Sequence, residues 1–381
     1  MDFALSETHE AIREVAREFA EKKLIPRAAE FDQTGKMDFA LAREMAESGF
    51  MGIIVPEEYG GTGLDTLAYV LVLEELGQSC ASHSTMVGAH NSLFAHPILK
   101  FGTEEQKRFY LPGVCAGEKY AAFSLSEPGA GSDAAAIETT AVLDGDHYVL
   151  NGTKIFVTNG AFADYIIIMA KTDRNAGWRG VTAFLVHKDM PGFSIGHIEE
   201  KMGLHASPTT ELILQDLRVP KSNVLGRPGE GFKIAMESLN SGRLSVAANA
   251  LGIGIRALKV AVKYAKERKQ FGQPISSFQM IQSHLANMHC RIEQARWLVY
   301  HAAWRKDQGK DYADHAAMAK LVCSEMATYV SHRAIQVLGG YGYLREYEVE
   351  RLYREARVTE LFEGTSEIQR MVIARAVIKG H

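Results

Sequence analysis

The segment Leu361-Phe-Glu-Gly-Thr-Ser-Glu-Ile-Gln369 sets one carboxylate, Glu363, just ahead of a helix start. Ser366 and Gln369 have capping-box spacing, which predicts a helix opening near Ser366. An acid in that place is either a surface group favoured by the helix dipole or a positioned base. The apolar neighbours Leu361 and Phe362 could bury the carboxyl, raise its pKa and suit it to accept a proton near neutrality. Taken as an isolated Glu, the surface reading is the better one.

Three other segments carry groups that a large polar ligand could use. Phe123-Ser-Leu-Ser-Glu-Pro-Gly-Ala-Gly-Ser-Asp133 runs from a strand into a loop with Gly129 and Gly131. Glycines let backbone N–H groups approach anions or carbonyls closely. The dinucleotide reading of a glycine-rich loop fails, because position 134 is Ala and the flanks are strands. Read alone, this loop favours a plain β-turn. Asn151-Gly-Thr-Lys-Ile-Phe-Val-Thr-Asn-Gly160 places Phe156 and Thr158 on one strand face by alternation, a flat ring beside a hydroxyl. That pair suits a flavin, and alone it equally suits ordinary barrel packing. Glu267-Arg-Lys-Gln-Phe-Gly-Gln-Pro-Ile-Ser-Ser-Phe-Gln279 is a cationic break between two long helices. Arg268 there offers the rigid multi-donor fork that a pyrophosphate needs, although most such tips are only solvated connectors.

Several chemistries are excluded by spacing. The fourteen histidines form no HExxH or HxxEH pattern, so no catalytic metal is expected. Ser124 and Ser126 lack the GxSxG elbow of a serine hydrolase. Cys80, Cys115, Cys290 and Cys323 lie far apart and form no CxxC pair, which argues against zinc and against a disulfide framework.

The elements that must position these groups fall into three textures. From Ser6 to about Ala116 the spacing is helical, opening with Ile12, Val15, Phe19 and Leu24. From Tyr120 to about Leu225, short apolar runs separated by Asp144-Gly145, Asn151-Gly152, Asn159-Gly160 and Pro191-Gly192 predict many short strands in a barrel or sandwich. From Gly231 onward the helical pattern returns, with seams Leu251, Ile255, Leu258, Val262, Ala265 and Ile281, Leu285, Met288, Ile292. The expected fold is α+β but mostly α. It comprises an N-terminal helical domain (1–117), a central β-barrel domain (118–228) and a C-terminal four-helix bundle (229–381).

The chain has 381 residues, 46% of them hydrophobic, and a formal net charge of −4. That composition supports a large core and gives no sign of a nucleic-acid partner. The acid-bearing amphipathic start is not a secretory signal, and no run of about 18 uninterrupted apolar residues occurs. A soluble intracellular protein is expected, cytoplasmic in a bacterium or in the mitochondrial matrix if the source is eukaryotic.

Taken together, SLSEPGAGSDA, LNGTKIFVTNG, ERKQFGQPISSFQ, QVLGGYGYLREYEVERLYREARV and LFEGTSEIQR resemble, in order and over essentially the whole chain, the acyl-CoA dehydrogenase family. HNSLFAHPILKFGTEEQK and LGRPGEGFKIAM look most like its short-chain (butyryl) branch. The resemblance implies FAD as cofactor and a trans-2-enoyl-CoA product. It makes Glu363 the base that takes the α-proton while hydride passes to the flavin. Phe123, Leu125, Ser126, Phe156 and Thr158 match positions that meet the flavin ring. Arg268, Phe271 and Gln279 match residues that reach the FAD of a neighbouring subunit, Gln336 and Gly340 the segment at its adenosine end, and Thr365 and Glu367 further FAD contacts. Ser132, the stretch from Asn240 to Arg243, and Gly364 match substrate-side positions. Asn240 stands where the family often has Asp, Phe362 where many members have Tyr, and Gly242 near where some branches carry their base. The resemblance also implies a homotetramer built as a pair of dimers, and an electron-transfer flavoprotein as acceptor. Branched or alicyclic acyl groups, and an oxidase that uses oxygen, are the rival readings.

Overall fold

The computed structural model describes residues 4–380. Seven helices come first: α1 (Glu7–Phe19), α2 (Ala28–Thr34), α3 (Phe39–Glu47), α4 (Thr66–Gly77), α5 (Ala81–Ala89), α6 (His96–Phe101) and α7 (Glu104–Cys115). Ser6 caps α1 by accepting the His9 N–H, as its residue type favours. The predicted stripe holds only in part. Val15 is exposed, the neighbouring Ala16 taking the buried face, whereas Leu24 is buried after a π-helical turn over Ala20–Leu24 that resets the phase of the face.

Eight strands form the centre: β1 (Ala121–Ser124), β2 (Thr140–Asp144), β3 (His147–Thr158), β4 (Tyr165–Lys171), β5 (Val181–His187), β6 (Phe193–Ile198), β7 (Thr209–Pro220) and β8 (Val224–Leu225). The main path of the mixed sheet runs β6-β7-β3-β2-β4-β5-β8, with β1 pairing parallel to β4. Alternate residues of β4 and β5 enter different cores. Ile167, Met169, Val181 and Leu185 pack towards α7 and the start of the next long helix. Ile166, Ile168, Phe184 and Val186 meet Leu150, Leu212, Leu214 and Leu217 of β3 and β7. The sheet is therefore curled about its inner face, barrel-like in packing, while its terminal strands β6 and β8 do not pair with each other.

The last five helices are α8 (Gly231–Glu267), α9 (Gln279–Asp307), α10 (Ala313–Leu338), α11 (Val349–Val358) and α12 (Ser366–Gly380). The α8 seam is buried at Leu251, Ile255 and Ala265 and half-buried at Leu258 and Val262. The α9 seam is buried at Met288 and Ile292 and half-buried at Ile281 and Leu285. One hydrophobic core joins residues of α1, α3 and α4 to residues of α8, α9 and α10. A Cβ on Gly252 would lie 2.4 Å from Glu74 O, and one on Gly77 2.7 Å from Asn249 O, so α4 and α8 touch backbone to backbone. Asp307 at the end of α9 accepts the Thr66 and Leu67 N–H groups and so caps α4. By length and mean composition α8 could cross a membrane, but 67% of its apolar window is buried inside the fold, which marks a core helix.

Candidate active site around Glu363

Glu363 lies on the turn from α11 to α12 with φ +54°, followed by Gly364 at φ +95°. Left-handed backbone is uncommon for a residue with a side chain, and here it turns the carboxyl inward. The residue as a whole is half-buried, yet its Oε2 is shielded from solvent and has no hydrogen-bond partner. A Cβ on Gly242 would lie 1.9 Å from that oxygen and 3.0 Å from Leu93 Cδ2. The carboxylate thus rests on α8 at a notch that only glycine leaves open. Burial pushes its pKa up to about 7, while Lys320 and Arg243 pull the other way. The expectation that Leu361 and Phe362 bury it needs correcting. Leu361 is exposed and Phe362 half-buried, so the cover comes from α8 and Leu93.

The predicted capping box is also replaced. Thr365 Oγ1 accepts the Ile368 N–H at 3.4 Å, so the cap sits one residue earlier. Gln369 Nε2 donates to Gly364 O at 2.8 Å and to Glu363 O at 3.3 Å. Ser366 Oγ is buried without a partner, and Glu367 faces solvent. A second donor reaches Gly364 O, the Lys320 ammonium at 2.7 Å. Nothing in the sequence signalled Lys320, because only the packing of α10 brings it here.

Arg243, the residue after Gly242 on α8, is buried and donates to Asn240 Oδ1, one turn back, at 2.7 Å. Its Nε has no partner, and burial lowers its pKa from the ordinary guanidinium value. Ser132 lies on the exposed loop after β1, where Gly129 and Gly131 face open space.

Phe123, Leu125 and Ser126 follow one another out of β1. The Lys154 ammonium, fully buried, donates to Leu125 O at 3.1 Å and to Glu127 Oε1 at 2.7 Å. Glu127 also accepts the Thr139 N–H, and Ile155 N–H donates to Ser126 O. These bonds pin the glycine-bearing loop to β3, and the sequence reading missed the Lys154–Glu127 pair. Alternation does not govern Phe156 and Thr158, because the β3–β7 register slips between Lys154 and Val157. Phe156 takes φ +56° and its side chain is 63% exposed, whereas Thr158 is half-buried. The bulge aims the ring outward.

A second group of predicted residues gathers elsewhere. Arg268 ends α8, and Phe271, at φ +50° and 93% exposed, tips the short hairpin beyond it. Arg268, Ile275, Gly339, Gly340, Tyr341 and Leu344 line a cleft of about 470 Å³. The Arg268 guanidinium stands 5.4 Å from the Tyr341 ring centre. Gln279 and Gln336 are exposed nearby in sequence, on the first turn of α9 and the last of α10. None of the residues around Glu363 lines this cleft.

Three family models match in chain order: acyl-CoA dehydrogenase N-terminal domain over 6–118, middle domain over 122–217 and C-terminal domain over 229–378. The chain belongs to the acyl-CoA dehydrogenase family. It is 47% identical to the short-chain specific acyl-CoA dehydrogenase of Clostridium acetobutylicum over 100% of both chains. The solved butyryl-CoA dehydrogenase of Megasphaera elsdenii is 46% identical with a TM-score of 0.98, covering 99% of this chain and 100% of that one. A chain in a structure of the electron transferring flavoprotein of Acidaminococcus fermentans is 51% identical, with a TM-score of 0.98 over 100% of both chains. Members of the acyl-CoA dehydrogenase family are FAD-dependent, and this chain, as a member, is an oxidoreductase.

Proposed function

We propose that this acyl-CoA dehydrogenase converts a short-chain acyl-CoA to its trans-2-enoyl-CoA, with Glu363 as the base. The carrying observation is the Glu363 Oε2, shielded, without a partner and set against the Gly242 notch. A thioester α-proton is only weakly acidic, so its removal needs a desolvated carboxylate and donors for the enolate oxygen. The Glu363 N–H donates to no backbone carbonyl among the described residues and is free to hold that oxygen. Arg243 and Asn240 lie on the substrate side, Arg243 with an unused Nε, and Gly364 and Ser132 complete that side.

The residues fit FAD. The exposed Phe156 ring, the Leu125 and Ser126 N–H groups, which donate to no backbone carbonyl among the described residues, and the orphaned Ser124 Oγ leave stacking surface and polar groups unused. Phe123 and Thr158 flank that surface, and Thr365 and Glu367 add contacts from the α12 start. Bound there, FAD would supply the acceptor for the β-hydride. Arg268, Phe271, Gln279, Gln336 and Gly340 would hold the FAD of a second copy within a homotetramer built as two dimers. The electron acceptor would be an electron-transfer flavoprotein, and the setting the cytoplasm or the mitochondrial matrix.

An anaerobic panel of straight, branched and alicyclic acyl-CoAs, scored by flavin bleaching, tests the substrate; butyryl-CoA should bleach fastest. Glu363→Gln should keep bound FAD and acyl-CoA affinity and slow bleaching by at least ~100-fold. Bleaching at the wild-type rate in that variant overturns the assignment.

A further inference from the structure

Lys320 is a buried cation that none of the roles above uses, and it touches the turn that carries Glu363. It lies on α10 with no exposed surface, and the one hydrogen bond of its ammonium among the described residues goes to Gly364 O at 2.7 Å. No carboxylate stands within ion-pair distance of it among those residues, although Glu363, Glu360 and Glu367 all favour its charge. Burying an ammonium without an ion pair is costly, and an apolar side chain of similar length would fill the same space more cheaply. The charge must therefore serve something beyond packing.

What it touches suggests what that is. Glu363 and Gly364 are consecutive residues in left-handed backbone, a conformation that persists only when its surroundings over-determine it. The Gly364 carbonyl is clamped from two sides, by Lys320 from α10 and by Gln369 from α12. The charged and titratable groups that act on the Glu363 carboxyl come from three packed helices. Arg243 stands on α8, with Tyr312 beyond it, Tyr69 on α4, and Lys320 on α10. Arg243 has a polar partner in Asn240, and Tyr69 donates its proton to Gly88 O. Lys320 alone among them holds the backbone that carries the carboxyl.

Resting on the reading of Glu363 as base, we propose that Lys320 is a positioning residue, whose ammonium fastens the Gly364 carbonyl and supplies the positive charge that keeps the Glu363 carboxyl ionised and aimed at the Gly242 notch. Burial lowers the Lys320 pKa to about 8 and raises that of Glu363 to about 7, while each group's charge opposes that shift in the other, so both are mainly charged together between those two values.

The test uses the FAD-loaded enzyme. Lys320→Met and Lys320→Arg are compared with wild type and Glu363→Gln by the rate of anaerobic bleaching with butyryl-CoA from pH 5.5 to 9. Independently, infrared titration of the substrate-free enzyme isolates the residue 363 carboxyl by subtracting the Glu363→Gln spectrum. Lys320→Met should keep FAD and butyryl-CoA affinity, bleach ~10-fold more slowly at pH 7 and move both the acid limb and the carboxyl titration up by about one pH unit. Lys320→Arg should restore both midpoints. If Lys320→Met does not fold, Lys320→Gln keeps a donor without the charge and is read the same way. Unmoved midpoints in a folded, FAD-loaded Lys320 variant overturn the inference while leaving Glu363 as base. A Glu363→Gln enzyme that bleaches normally instead overturns the reading beneath it.

Discussion

At the scale of the residue, a carboxyl lodged in the interior must leave a mark on stability. The Glu363 pKa rises from 4.5 to about 7 because burial penalises the ionised form. Below about 4.5 the folded and unfolded chains both hold the proton. Between that pH and about 7 only the folded chain does, so stability falls as pH rises through this window and stays lower above it. Glu363→Gln escapes that loss. It should match wild type in thermal unfolding near pH 4.5 and exceed it above pH 7 by up to about 3 kcal/mol. A melting series across pH checks it, and a gap that widens towards acid would reverse the sign. The sequence exposed this acid through its place before a helix start. It could not disclose what covers it, because Gly242 and Leu93 are remote in the chain. Lys320 was invisible for the same reason, standing 44 positions from the carbonyl it grips.

At the scale of the element, β3 is the instructive case. Its strand character was readable from its apolar residues, but Asn151-Gly152, expected to be a turn between two strands, lies inside one continuous strand at a register shift, and the second slip before Val157 was not readable at all. A register slip depends on how β3 meets β7, which no local pattern records. The loop carrying Leu125 and Ser126 is likewise held from another strand, by Lys154 of β3, which pairs with the loop's own buried Glu127. Removing one member of such a pair strands the other charge. Lys154→Ala should lower stability by about 3–5 kcal/mol and loosen FAD, whereas Lys154→Met combined with Glu127→Leu should recover most of the stability. Urea unfolding with FAD content measured in parallel decides this. Equal losses in the single and double variants would show that shape, not stranded charge, sets the cost. The cap of α12 teaches the same lesson: Thr365 and Ser366 are both good caps by type, and only the placement of Gln369 selects Thr365.

At the scale of the molecule, the order of helices, strands and helices was legible from changes of period alone. The single core shared by the first and last helical regions was not, since it depends on close glycine contacts between α4 and α8. The resemblance had already set Arg268, Phe271 and Gln279 apart from Glu363, and within one chain Arg268 and Gly340 line a cleft that none of the residues around Glu363 enters, which makes two stations. If a second copy completes each site, two inactive variants should rescue each other. Co-expressed Arg268→Ala and Glu363→Gln chains would place one intact base opposite one intact tip in every mixed dimer. About a quarter of wild-type activity should return when the chains assort at random, against almost none for either alone. A mixture as inactive as its components would mean that each chain serves its own site.

The two stations are joined by a single uninterrupted rod. From Gly242 to Arg268, α8 runs 26 residues, or about 39 Å at 1.5 Å per residue. A rod of that kind works as a gauge with both a length and a phase. Inserting or deleting one residue between its marks would move the tip by only a small step but swing it round the axis by about 100°. Side-chain substitutions along this stretch can be absorbed locally, whereas a change in its residue count would turn the far end away from whatever it meets.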